Sequence, residues 1–353
     1  MSAPVALAYA TPMSEPTQGN DQGENRDGDD LSSHDDPRPR TATGEAGPGR
    51  IVVRGLTRRF GETLALAPID LDLGPGGVTG LIGPNGSGKS TFLRTLTGLV
   101  RPDGGQASVD GARLSGDGLA VRQRITYAPG ELHLYTEMRA DEHLAWFLRG
   151  RPKHAAVLER ARAIAAELGI PLERRVRAFS HGMKRQLVLA AALAPDVRVR
   201  ILDEPTEGLD PSRRGKVVEL LRKDAERGVT LLISSHHFGE IDRLCDRLVF
   251  LNQGQKLAEE TASSVAARAR RFVHFSWPSE TEAIAAKPEL ERLGAERVVR
   301  DGVRTTAELG TADPRPFLTA LSNAGGLPPP RTIEFGRLSL AELYQDLYGV
   351  GGV

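Results

Sequence analysis

The run Gly83-Pro84-Asn85-Gly86-Ser87-Gly88-Lys89-Ser90-Thr91 directly follows the apolar segment Val78-Thr79-Gly80-Leu81-Ile82. Glycines here let successive backbone N–H groups converge on a phosphate chain, and a helix that starts at the same point turns its positive end toward it. Lys89 adds a point charge, and Ser90 offers a hydroxyl to Mg²⁺, which would neutralise phosphate oxygens. The pattern G-x-x-x-x-G-K-[ST] between a strand and a helix therefore reads as a site for a nucleoside triphosphate. Alone, it leaves the class of protein open.

Further along, Val199-Arg200-Ile201-Leu202-Asp203-Glu204 reads as a strand ending in two carboxylates. Asp203 is placed to hold Mg²⁺ through water, and Glu204 to orient and deprotonate an attacking water. Taken by itself the pair fits a strand-end turn equally well. Before it stands Phe179-Ser180-His181-Gly182-Met183-Lys184-Arg185-Gln186, leading into a helical run stopped by Pro195; Ser180 and the N–H groups around Gly182 would form an anion-binding helix start. After it come Gly208-Leu209-Asp210 and the apolar run Val229–Ile233, which ends in Ser234-Ser235-His236.

These residues need a scaffold, and the text of the chain supplies one from Ile51 onward. Ile51-Val52-Val53 and Ile69-Asp70-Leu71-Asp72-Leu73 read as strands, with Gly74-Pro75-Gly76-Gly77 as the turn before the strand at Val78. Residues 121–194 are mostly helical in pattern, including a helix over Lys153–Leu168 that Gly169-Ile170-Pro171 ends. After Gly254 the order is strand 272–277, helix 281–293, strands 295–300 and 303–309, helix 314–324 and strand 331–335. That β-α-β-β-α-β order suggests a small ferredoxin-like unit. Leu338-Ser339-Leu340-Ala341-Glu342-Leu343-Tyr344 reads as a last packing helix.

Composition narrows the class. With 353 residues and 39% hydrophobic content the chain has ample material for a core, and its formal net charge of +0 carries no footprint of a nucleic-acid binder. Cys245 is the single cysteine, which excludes an intrachain disulfide and suits a reducing, cytoplasmic compartment. No stretch approaches the roughly 18 apolar residues of a membrane span, and the first twelve residues lack the pattern of a signal peptide, so any membrane role is expected to come through a partner. Residues 1–49, with nine acidic and three basic side chains, read as a disordered acidic tail, either a solvated extension or a recruiting segment.

Five motifs in this order, over roughly residues 50–260, closely resemble the ATP-binding subunits of ABC transporters: phosphate loop, signature loop, Asp-Glu strand, Asp-containing loop and histidine loop. The late helix is similar to the tails of exporter-type members. The resemblance implies an α/β fold, a RecA-like P-loop ATPase core at 50–260 with an inserted helical subdomain at about 121–194, followed by a small C-terminal α+β domain at 261–353. It implies ATP and Mg²⁺ as ligands, a second ATPase subunit, and an integral membrane permease that keeps the chain on the inner face of the cell membrane. Ser180 and Gly182 would act on the nucleotide of the partner subunit, His236 would contact the γ-phosphate, Asp210 would shape the dimer interface, and Phe60 would stack on adenine.

The chain departs from the family pattern in places. Gly130, in Ala128-Pro129-Gly130-Glu131, stands where the family has a glutamine that links Mg²⁺ to the membrane partner; Glu131 either substitutes for it or is a solvated loop charge. Met183 resembles an exporter variant of the signature, whereas Gln186 stands where a basic residue is usual. Arg200 is unexpected in a central parallel strand, which is normally buried on both faces, so either it pairs with an acid or the strand is partly covered. His237 reads as a helix-start residue, and Ile241, Leu244, Cys245 and Leu248 as one buried helical face. Trp146 and Phe147 either pack between helices or meet the membrane partner. The rival readings are a soluble ABC ATPase acting on ribosomes or DNA, and a non-hydrolysing regulatory module.

Overall fold

A computed structural model describes residues 47–236, 244–311 and 313–336. The acidic tail up to residue 46, His237, Ile241 and the amphipathic run 338–344 lie outside the described residues.

The core is built on two sheets. The first comprises β1 (Ile51–Phe60), β2 (Thr63–Leu73), β4 (Gly104–Val109) and β5 (Ala112–Arg113) in the antiparallel order β2-β1-β4-β5. The second holds β3 (Val78–Ile82), β6 (Ile125–Ala128), β7 (Val199–Asp203), β8 (Thr230–Ser235), β9 (Arg247–Asn252) and β10 (Gln255–Thr261) in the order β10-β9-β3-β8-β7-β6. The pairs from β9 to β6 are parallel and only β10 runs against its neighbour. Every residue of β3, β6, β7 and β8 is buried, which explains why they read as apolar runs rather than alternating patterns.

Helices cover this sheet. α1 (Lys89–Leu96) leaves the phosphate loop, and α2 (Leu119–Arg122) precedes β6. α3 (Ala140–Leu148), α4 (His154–Glu167) and α5 (His181–Leu193) form the inserted helical part, and α6 (Pro211–Glu226) returns the chain from β7 to β8. The segment 121–194 is thus not helical throughout: Ile125–Ala128 is a strand of the main sheet. Ser180 caps α5 by accepting from the Met183 N–H, and Asp210 caps α6, where Pro211 occupies the first turn.

Beyond β10, α7 (Ala262–Ala269) leads into a separate antiparallel sheet of β11 (Phe272–Ser276), β12 (Ala295–Asp301), β13 (Arg304–Leu309) and β14 (Thr332–Phe335), ordered β12-β13-β11-β14. α8 (Glu280–Arg292) and α9 (Arg315–Ser322) complete its β-α-β-β-α-β order. Val273, Phe275, Trp277, Ala283, Ala286, Leu290 and Phe317 build its own apolar core. Trp277 is fully buried because its indole N–H reaches Thr305 Oγ1 at 2.9 Å.

Arg200 pairs with an acid. Its side chain is 2% exposed and its Nε lies 2.6 Å from Asp224 Oδ2 on α6, while the rest of the guanidinium donates to Thr126 Oγ1 and the carbonyls of Ala192 and Pro195. One buried cation thereby fastens β7 to β6, α5 and α6. Removing only the acid leaves that charge uncompensated, so Asp224→Ala is expected to cost about 3–5 kcal/mol of stability, and Arg200→Met with Asp224→Leu to recover most of it, measured as shifts of the urea unfolding midpoint.

Candidate nucleotide site

The C-terminal ends of β3, β6, β7 and β8 meet at one edge of the sheet, where a cavity of about 520 Å³ opens. Asn85, Gly86, Ser87, Gly88, Lys89, Ser90 and Thr91 form its floor, and Gly130, Glu131, Glu204, Glu207 and His236 one wall. Thr63, Leu64 and Ala65 of β2 and the Gln253-Gly254 turn form the lip. That turn joins β9 and β10 as a two-residue hairpin with positive φ at both positions, which suits Gly254. Gly254 also packs so closely on β2 that a Cβ there would lie 2.5 Å from the Ala65 carbonyl oxygen, and its N–H donates to Ser87 O at 2.9 Å. The hairpin therefore pins the phosphate loop against β2.

Lys89 folds back into the loop, donating to the carbonyls of Gly83 at 2.7 Å and Pro84 at 3.0 Å, with Glu204 Oε1 at 3.7 Å. Burial pulls its ammonium below the usual lysine range, opposed by the charges of Glu204 and Asp203. Glu204 Oε2 stands 2.5 Å from His236 Nδ1, which brings two candidates from different strands into direct contact. Glu204 holds φ at 51°, in the left-handed region that a non-glycine residue rarely adopts, and its N–H donates to Ser234 Oγ at 2.9 Å.

Asp203 lies behind the wall with no exposure to solvent. Ser234 Oγ donates to its Oδ1 at 2.5 Å, and the Tyr127 hydroxyl lies 3.5 Å from Oδ2. Burial, aided by the Asp203 charge, raises the Tyr127 phenol far above its ordinary range, so it stays a neutral donor. Gly130 backs onto the same carboxylate: a Cβ there would stand 3.2 Å from Asp203 Cγ and Oδ2. Glu131 forms an ion pair with Arg94 of α1 at 3.1 Å on the cavity rim.

The remaining candidates sit off the cavity wall. Ser180 and Gly182 occupy the start of α5 and Asp210 the start of α6, where a Cβ on Gly182 would come within 3.0 Å of Gly208 O. Phe60 is 47% exposed at the end of β1, with the Arg58 guanidinium 4.5 Å from its ring centroid.

Comparison with known proteins agrees with this arrangement. The family described as ABC transporter matches residues 66–207. A Nod factor export ATP-binding protein of Burkholderia lata is 39% identical over 212 residues, covering 59% of this chain and 70% of the relative. A daunorubicin/doxorubicin resistance ATP-binding protein of Streptomyces peucetius is 33% identical over 314 residues, covering 85% of this chain and 92% of the relative. The chain belongs to the ABC transporter family of ATP-binding subunits. A solved structure of an ATP binding subunit of an ABC transporter shares the fold with a TM-score of 0.56 and 29% identity, over 61% of this chain and 91% of that one.

As an ABC ATPase, the chain binds ATP and hydrolyses it. Several groups of this site carried no role in the sequence reading. Ser234 was visible only as the end of an apolar run; its place beside Asp203 follows from the parallel pairing of β7 with β8. Arg185, Glu207 and Arg94 gave no signal, because their partners are distant in the chain or are main-chain atoms.

The buried Lys89 charge weakens the nucleotide-free fold. Its pKa lies below the ordinary 10.5, so the cost is present in full below the folded pKa and fades as pH rises through 10.5. Lys89→Met is therefore expected to raise the thermal midpoint of the nucleotide-free protein at neutral pH, with a gain that shrinks toward alkaline pH, while abolishing ATP binding.

Proposed function

We propose that this chain is the ATP-hydrolysing subunit of an exporter-type ABC transporter, working as a dimer that opens and closes against a separate integral membrane permease. The observation that carries the reading is the contact of Glu204 with His236 across the floor formed by the phosphate loop. Among the described residues no helix is long and apolar enough to cross a membrane, so attachment to the inner face of the membrane would come through the permease.

In this reading the loop amides 85–91 and Lys89 bind the ATP phosphates, which would draw Lys89 from the Gly83 and Pro84 carbonyls onto the nucleotide. Glu204 takes the proton of the attacking water, His236 orients Glu204 and meets the γ-phosphate, and the exposed ring of Phe60 stacks on adenine. Ser180 and Gly182 cap the nucleotide of the partner subunit, and Asp210 shapes the surface between the two. The metal in this reading is Mg²⁺, a cation that keeps waters and phosphate oxygens as ligands. Ser90 on the cavity floor offers it an oxygen directly, whereas Asp203, closed off behind the wall by Ser234, Tyr127 and Gly130, would reach it through water only on opening of the 129–131 turn. Bound there, Mg²⁺ would offset phosphate charge.

Gly130 supplies no side chain toward the metal, and Glu131 is engaged with Arg94. The side chain of Gln186 is fully buried: its amide NH2 donates to Leu168 O at 2.9 Å, while Oε1 has no hydrogen-bond partner among the described residues.

Glu204→Gln is expected to retain ATP binding, accumulate an ATP-bound dimer and lower turnover by about 10²-fold or more, as loss of a general base does. Turnover, size exclusion with ATP and Mg²⁺, and chelation by EDTA check this together. Parental turnover in Glu204→Gln would remove Glu204 from the role. Recovery of the native chain in membranes with a polytopic protein tests the transporter assignment, and ribosomal or DNA-repair partners would replace it.

A further inference from the structure

Arg185 lies on the first turns of α5, five positions beyond the Ser180 cap, and its side chain is 1% exposed. Nη1 donates to Pro129 O at 2.8 Å and Nη2 to Gly130 O at 2.6 Å, so the two ends of one planar fork hold successive main-chain carbonyls. Nη2 also lies 3.4 Å from Glu207 Oε2. Gly130, Glu131 and Glu207 all line the nucleotide cavity, and Gly130 presses on the Asp203 carboxylate. One residue of the signature helix thus grips both turns that shape the metal side of the chain's own site.

A second contact reinforces this grip. The Gly208 turn fits against the start of α5, where a Cβ on Gly208 would stand 2.5 Å from His181 Nδ1. The helix start, the 129–131 turn and the 204–208 turn are therefore in direct contact with one another. A bolt needed only for packing would be cheaper as an apolar side chain. Here a buried cation is kept although its Nε has no hydrogen-bond partner among the described residues.

We infer that Arg185 is a positioning residue that fixes the main chain of the 129–131 turn against Asp203 and ties it to the signature helix, so that occupancy of one ATP site is felt at the loop presented to the other. The inference rests on the reading of the cavity as an ATP site. It also assigns the chain a substitute for the glutamine side chain absent at Gly130: the turn is held from outside by the signature helix, through its carbonyls.

The test compares the full chain with Arg185→Lys, which keeps the charge but loses the fork, and with Arg185→Gln. The expected result is a kcat reduced about 10- to 100-fold, as for an ångström-scale misplacement. ATP KM and the affinity for a fluorescent ATP analogue should stay near parental, with affinity changed by less than about threefold, while the thermal midpoint falls because the Pro129 and Gly130 carbonyls lose their donor. Amide exchange at residues 130–131 and 180–183 should rise together in both variants. Parental kcat in Arg185→Lys, unchanged exchange at 130–131, or a loss of nucleotide binding as large as the loss of kcat would each overturn the inference. The exchange measurement needs no turnover, so a parent without ATPase activity would remove the proposed function and leave this inference to be decided on exchange alone.

Discussion

A carboxylate with no exposure to solvent, Asp203, stands at the end of β7, and the geometry around the cavity is organised by the need to satisfy it. A buried charge is costly unless donors surround it. Ser234 from β8 and Tyr127 from β6 supply them, and both arrive only because β6, β7 and β8 lie side by side in parallel register. Gly130 lets the turn after β6 close over the same group, and the Ser234 hydroxyl also receives the Glu204 N–H. Slipping any of these pairings by one residue would turn the donor to the opposite face of the sheet.

Local costs sit at several neighbouring points around the cavity. Glu204 sits in an unfavourable backbone region, Lys89 is held partly desolvated, and Arg185 Nε–H has no partner among the described residues. Each is the sort of local cost that persists where a rigid surround over-determines the geometry. That surround is the fully buried β3, β7 and β8, with Arg200 and Asp224 locking the far end of β7 to two helices.

What could be read from the sequence follows a physical division. The phosphate loop, the Asp-Glu pair and Ser180 were visible because each depends on local chain geometry: a strand, a tight turn and a helix start contiguous in sequence. The C-terminal β-α-β-β-α-β order was legible for the same reason, its short elements being separated by Gly and Pro turns. Arg200 showed only as an anomaly, since its acid lies 24 residues away on another element. Ser234 and Arg185 were silent. A serine at the end of a buried run has no pattern of its own, and the acceptors of Arg185 are carbonyl oxygens, which every residue carries. The mostly helical reading of 121–194 leaves room for β6, whose four residues are too few for a periodic signal of their own.

The separation of Ser180, Gly182 and Asp210 from the cavity bears on why the proposed ATPase would act only in pairs. All three lie at the N-termini of α5 and α6, where unpaired amides and the helix dipole favour an anion, yet the chain's own phosphate loop is filled from other directions. An anion-seeking helix start that does not reach its own nucleotide suits a γ-phosphate delivered by a second copy. ATP would then act as adhesive between two subunits, and loss of its γ-phosphate would release them. Under this arrangement the proposed chemistry at Glu204 would need no separate lever: cleavage and departure of the γ-phosphate would remove the group that the partner's α5 holds, and α6, which follows the strand bearing the two carboxylates, would link that loss to the chain's own site.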